Sequence, residues 1–247
     1  MSNVVTVYRR ECSSYFNSPI AYILIVAYLV LMSLIFFSFL SFFKQPNPDF
    51  RPYFENIYSF SFFSFIILPA VTMRLWSEEK KQGTVELLMT FPLKTWEVVL
   101  AKFFAGYTIV ALAILCTLIV PFMVSGVLAL DWGAVWSNYL GILLVAMVYT
   151  ALGAFVSSMT QNQIVALMIT VAFSAVLLAL GHPAAMTWID ESLGGQIGTF
   201  LGKTFGTFIH YQNFARGLIN PVDVVYVGGM TILFLILNVL AVESRKY

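Results

Sequence analysis

The sequence predicts an all-α, polytopic membrane protein with six spans, and three observations predict it. The chain is 60% hydrophobic and only 10% charged, with a mean hydropathy of +0.88, whereas a soluble domain carries roughly 25% charged residues. Its apolar runs reach the roughly 20 residues that a helix needs to cross a bilayer. Its basic residues are also unevenly divided. With six spans, Arg9, Arg10, Arg74, Lys80, Lys81, Lys94, Lys102, Arg245 and Lys246 fall on one side, and Lys44, Arg51, Lys203 and Arg216 on the other. That bias places the richer side, with both termini, in the cytoplasm. The acidic residues divide evenly, as expected of residues that carry little topological information.

The elements follow in chain order. Residues 1–19 form an amphipathic helix: at about 100° per residue Val4, Val5, Tyr8, Cys12, Tyr15 and Phe16 share an arc of about 120°, with Arg9, Arg10 and Ser13 elsewhere. Such a helix lies in the inner headgroup layer with its arginines near anionic lipid, and Asn17-Ser18-Pro19 turns the chain into the first span, residues 20–43. That run is uncharged as far as Phe43 and outlasts a signal-peptide core. The second span, 58–75, is short and rich in Phe and Ser. The third, 103–130, holds Pro121, a kink position. From Trp132 to Ile189 no Asp, Glu, Lys or Arg occurs, too long a stretch for one crossing. The polar knot Gln161-Asn162-Gln163 divides it into spans at 135–158 and 164–181. The last span is 222–242, and the whole chain, 1–247, reads as one transmembrane domain.

Residues 182–221 are then external. A crossing there would put Lys203 at mid-bilayer at a cost of about 2.5–3.5 kcal/mol, against about 0.3–0.6 gained from each Leu, Ile or Phe. Five glycines between Gly194 and Gly206 weaken it further, so the segment is expected to be an interfacial or re-entrant helix. In it Gly194, Gly198, Gly202 and Gly206 recur every four residues, a spacing that lets helices approach closely. They serve either ordinary packing or an outer gate or dimer contact. Gly198 to Thr204 imitates a phosphate-binding loop but has three residues between its glycines where four are required, and follows no strand. Gly153, Ser157, Gly228 and Gly229 are further close-packing candidates, and Tyr58, Ser61 and Ser64 of the second span are candidates to line a path. Cys12 and Cys116, and His182 and His210, lack the spacing of a metal site.

The organised polar interruption is residues 76–102. Gly83 and Pro92 punctuate it, and between them Val85, Leu88 and Met89 share one helical face with Thr84, Glu86 and Thr90 off it. This short helix is expected to lie on the inner bilayer surface with its polar side to the cytosol. Thr95 then caps the next helix, Glu97 sits in its favourable first turn, and Lys102 snorkels to the surface.

This loop resembles the E-x-x-x-G-T-x-E-x-L-x-x-x-P segment of ABC-2-type exporter permeases, through Glu79, Gly83, Thr84, Glu86, Leu88 and Pro92, with Lys102 opening the following span. The stretches 9–23 (RRECSSYFNSPIAYI) and 214–226 (FARGLINPVDVVY) are similar to the gliding-motility-type branch of that family. The resemblance implies that the N-terminal helix is an elbow and the loop helix a coupling helix seated in a groove of a separate ATPase subunit. By it, Glu78, Glu79, Lys80, Lys81, Gly83, Thr84, Glu86 and Pro92 contact that subunit, Glu79 and Glu86 foremost. It also implies a dimer with a second copy or related permease in the inner (plasma) membrane.

Three function classes compete on these residues. An ATP-driven exporter subunit needs its engine elsewhere, because no cytoplasmic segment is long enough to fold a nucleotide-binding domain. ATP and Mg then belong to the partner, and this chain carries no cofactor and no catalytic site. An ion-coupled transporter or channel would mark its spans with costly ionisable residues, and no span core has Asp, Glu, Lys or Arg, which weighs against ion coupling and less against a passive channel. An intramembrane enzyme would need converging nucleophile and base. Membrane lipid is an expected partner and nucleic acid is not, for lack of a basic stripe. A variant of the first class uses ATP to act mechanically on an extracytoplasmic assembly or accessory protein.

Overall fold

The computed structural model describes residues 3–34, 67–84, 93–126 and 130–244, and every regular element among them is helical. The expected loop helix with Glu86 and Pro92, most of the second span with Tyr58, Ser61 and Ser64, and the end of the first span lie outside the described residues. The described helices are α1 (Asn3–Phe16), α2 (Pro19–Leu34), α3 (Leu68–Thr72), α4 (Arg74–Gln82), α5 (Thr95–Cys116), α6 (Ile119–Ser125), α7 (Trp132–Met159), α8 (Gln163–Leu180), α9 (Pro183–Leu193), α10 (Ile197–Phe205), α11 (Thr207–Ala215) and α12 (Pro221–Glu243).

Four of them or their continuations are long and apolar enough to cross a membrane: Thr95–Ser125, Trp132–Met159, Gln163–Leu180 and Pro221–Glu243. The bent pair α1–α2, turned by 68° at Asn17-Ser18, makes up to five. Spans expected at 135–158, 164–181 and 222–242 are α7, α8 and α12, each cut by side-chain chemistry. Asp131 accepts from the N–H groups of Gly133 and Ala134 to start α7 (3.0 and 3.4 Å). Asn162 caps α8 and Asn220 caps α12 in the same way.

The expected third span differs in two respects. It begins at Thr95 rather than at 103, with Lys94 as the capping residue and the Glu97 carboxylate accepting from the Lys94 N–H at 3.0 Å. It also breaks at Thr117-Leu118, one turn before Pro121. A proline has no N–H for the carbonyl four residues back and its ring crowds that carbonyl. Here the freed carbonyl of Thr117 accepts from Val120 instead, at 3.0 Å.

α7 is the axis of the bundle. Val145, Ala146, Val148, Tyr149, Ala151, Leu152 and Ala154 are fully buried along it, with α12, α5, α11, α8, α3 and α4 packed around. Two glycines of α7 allow close approaches. A Cβ on Gly153 would meet Thr72 Oγ1 at 2.0 Å, and one on Gly141 would meet Phe214 Cβ at 2.3 Å. Gly228 and Gly229, expected to be packing positions, have nothing within 4 Å of where a Cβ would stand, because they lie on the open side of α12. α8 and α12 turn large apolar residues outward, Met168 at 65% and Val225 at 73% exposure, as helices do when their outer surface meets lipid or another apolar surface.

The segment expected to be external is three short helices rather than one, interrupted where Gly194 and Gly195 adopt positive φ and again at Gly206. None is long enough to cross. Gly198 and Gly202 press on Met186 of α9, where Cβ atoms would come within 2.3 and 2.2 Å, and Gly206 presses on Gly181. Three members of the glycine row are thus occupied in packing within the chain, while Gly194 lies in the turn between α9 and α10 and is exposed. Asp190 fixes the start of α10 by accepting from the Gly198 and Thr199 N–H groups and from the Thr199 hydroxyl, the last at 2.6 Å. The Thr199 hydroxyl and these amides hold the Asp190 carboxyl below the usual carboxylate range.

Candidate functional site

At the end of the bundle where α1, α4, the start of α5 and the end of α12 meet, four charged side chains form one ionic cluster. Lys102 lies on α5 about 10 Å past the helix start, from its seven-residue offset. Its ammonium is 2.9 Å from Glu79 of α4 and 3.1 Å from Glu11 of α1. Lys102 is 1% exposed, so it does not snorkel. The lysine turns into the protein because two carboxylates meet it there, and Trp76 covers it with its ring centroid 5.2 Å from Nζ. Arg10 closes the cluster from outside, 3.2 Å from Glu79 and 3.5 Å from Glu11. Two cations face two carboxylates, which is the balance a desolvated cluster requires.

The rest of α4 is held as tightly. Arg74 donates two hydrogen bonds to Glu78, 2.9 and 3.1 Å. Ser157 of α7 accepts from the Trp76 and Ser77 N–H groups at 3.1 Å and donates to the Met73 carbonyl at 2.9 Å. Lys80 donates to the Ser158 carbonyl. Below the polar layer, Leu75, Trp76, Val98, Val99, Ala154 and Val242 form an apolar cluster of their own. The Tyr15 hydroxyl ties α1 to α3 by donating to the Val71 carbonyl at 3.1 Å, and burial pushes its phenol well above the usual value. A cavity of about 460 Å³ opens beside the cluster between α1 and α4, lined by Arg10, Ser14, Arg74, Gln82 and Thr84 among others.

The structure thus places the described members of the proposed partner surface unequally. Glu78, Glu79 and Lys80 are bonded within the chain, whereas Lys81 and Gly83 are exposed and Thr84 is half-buried. Gly83 ends α4 in the left-handed conformation, φ +70°, which a glycine adopts without strain. Arg10, Glu11, Arg74 and Lys102 were not singled out as site residues by the sequence. The one signal that could have found them is Lys102 itself, a cation inside an apolar helical run with no water-facing neighbour on its own face. Among the described residues no group of three His, Cys, Asp or Glu could hold a metal ion. What this arrangement does chemically is rigidify: α4 is tied to α1 and α5 through ions, and to α7 through Ser157.

No curated protein is similar to this chain at a significant level. Residues 37–242 match the family model for ABC-2 family transporter proteins, whose members are generally non-catalytic transmembrane subunits working with a partner ATPase. The match takes in well over half of the chain, and with the apolar helices it shows a multi-pass integral membrane protein that belongs to the ABC-2 transporter family.

Proposed function

We propose that this chain is the permease subunit of an ATP-driven ABC exporter, crossing the inner (plasma) membrane six times with both termini in the cytoplasm. Two permeases, identical or related, form the path, and a separate ATPase subunit binds and hydrolyses ATP with Mg. Six crossings are supported by the ends of the described helices: α1, the end of α4, the start of α5 and the end of α12 share one end of the bundle. The 183–215 helices then belong to the external side.

One observation carries the reading. α4, which runs directly into residues 83–92, is fixed to α1, α5 and α7 by the Lys102 cluster and the Ser157 clamp. ATP-dependent closure of the partner subunits presses on residues 83–92, and α4 transmits that push to the bundle as a rigid lever. In this reading α1 is the elbow and 84–90 the coupling helix. Because Glu79 faces inward, the partner's contacts fall on Lys81, Gly83, Thr84, Glu86 and Pro92, and Glu79 anchors the lever. Gly198, Gly202 and Gly206 serve packing, and Tyr58, Ser61 and Ser64 remain the path-lining proposal.

The test is Glu86→Lys. The variant is expected to insert normally while losing copurification with the ATPase subunit and losing transport. A well-expressed Glu86→Lys protein that keeps both would overturn the assignment. The similarity of residues 9–23 and 214–226 to the gliding-motility-type branch favours a second reading, in which the same ATP-driven motion acts on an extracytoplasmic assembly without passing a solute. ATPase coupling without any exported solute would select it.

A further inference from the structure

At the opposite end of the bundle, α11 meets the first turn of α12 through a buried pair that the proposed transport cycle does not use. His210 Nδ1 lies 2.6 Å from Asp223 Oδ1, and His210 Nε2 lies 3.0 Å from the carbonyl oxygen of Lys203, in α10. Asn213 donates to the second carboxylate oxygen at 2.8 Å. The Tyr226 ring stacks on the imidazole with centroids 3.9 Å apart, and its hydroxyl donates to the Phe205 carbonyl at 2.7 Å. His210 is 7% and Asp223 2% exposed.

The hydrogen-bond inventory of this pair does not close for a neutral imidazole beside an ionised carboxylate. A carbonyl and a carboxylate only accept, and a neutral imidazole has one N–H. Either tautomer would therefore aim a nitrogen lone pair at an acceptor no farther than 3.0 Å. With both nitrogens protonated, each bond has its donor, and the pair is neutral as a unit in a place where a lone charge is costly.

The other groups around it do not supply the missing proton. α8 carries no ionisable residue along its length. From α7 the facing group is Tyr149, bonded to Thr207 at 2.6 Å. From α12 they are Asp223 and Tyr226. α10 contributes Lys203, whose side chain is exposed, and Arg216 after α11 is exposed as well. His182, after α8, stacks on Phe208 rather than on His210.

We propose that His210 and Asp223 form a proton-binding site that clasps α10 and α11 onto the start of α12. With the proton bound, α10, α11 and α12 are joined through one imidazole. When it leaves, a buried carboxylate loses its counter-charge, one of the two imidazole bonds loses its donor, and the α10–α11 hairpin is released from α12. Acid closes this end of the bundle and alkali loosens it.

The chain has two histidines, so a ¹⁵N-histidine-labelled His182→Gln protein in lipid nanodiscs reports on His210 alone by NMR. Hydrogen exchange of α10 and α11, corrected for its intrinsic pH dependence, is measured on the same samples from about pH 5 to 9, the range in which histidine switches operate. The expected result is a ring with both nitrogens protonated at the acid end. Amide protection in α10–α11 then falls about tenfold or more where that ring loses a proton, the scale of one lost buried hydrogen bond. Asp223→Asn is expected to leave a singly protonated ring and protection that no longer varies with pH. If that variant does not fold, the coincidence of the two transitions in the parent decides. A ring singly protonated at every pH, a ring that keeps both protons throughout, or a titration with unchanged protection each overturns the proposal.

Discussion

Lys102 and Arg10 touch the same two carboxylates, yet burial makes them very different residues. Arg10, with a side chain 60% exposed, shares its charge with water, and exposed pairs are worth about 0.2–1 kcal/mol. Lys102 is 1% exposed, and removing one member of a buried charge pair costs about 3–5 kcal/mol because the remaining charges are left uncompensated. Lys102→Met is therefore expected to lower the thermal midpoint of the purified protein strongly, and Arg10→Ala hardly at all. Adding Glu79→Gln to Lys102→Met should restore part of the loss, since it removes the orphaned carboxylate. Equal losses for Lys102→Met and Arg10→Ala would mean that the cluster is not desolvated. From the sequence, Lys102 reads as a snorkelling lysine at a span entrance. Its true setting depends on Glu11 and Glu79, which are distant in the chain, and no local pattern announces that they converge.

At the scale of elements, the described parts of the polar interruption, residues 76–102, are mostly helix on either side. α4 continues to Gln82 and α5 starts at Thr95, so the described residues bring ordered structure to both sides of the proposed coupling segment. Local side-chain chemistry sets most of the other boundaries. Asp131, Asn162 and Asn220 are capping residues in their own right, and Pro121 marks the break between α5 and α6. The helices α9 to α11 were less legible. Gly194 to Gly206 looked like one face of a single helix, but Gly194, Gly195 and Gly206 are turn positions, and the face is built by α9 folding back.

That fold-back depends on Asp190. Its folded carboxyl is held below the ordinary value of about 3.9. The stability it contributes is thus fully present above that unfolded value and is lost as pH falls through the lower folded one. Asp190→Asn should therefore fray the start of α10 at neutral pH, seen as faster amide exchange at Gly198 and Thr199. The parent should show the same fraying only on acidification below about pH 4. Exchange at those amides that is indifferent to both changes would count against the cap.

For the whole molecule, the shared end of α1 and α12 makes a topological prediction. Reporter fusions after Gly83 and after Tyr247 should both read as cytoplasmic, and fusions after Lys44 and after Gly195 as extracytoplasmic. A Gly83 and a Tyr247 fusion on opposite sides would exclude six crossings. The ionic cluster and the His210–Asp223 pair sit at the two ends of this body, and α12 runs from one to the other, with Asp223 in its first turn and Val242 against the Trp76 cluster.

Composition and apolar periodicity determined by themselves that this chain is a helical membrane protein, and where α7, α8 and α12 run, because crossing hydrocarbon demands a long, uncharged, internally hydrogen-bonded segment and leaves a one-dimensional trace. The loop motif carried the family. Only the tertiary structure decided which polar residues are partnered within the chain. Glu79 turned inward, Lys102 buried, and His210 facing two acceptors are consequences of helices meeting across many residues of sequence, and a charge's partner is set by distance in space.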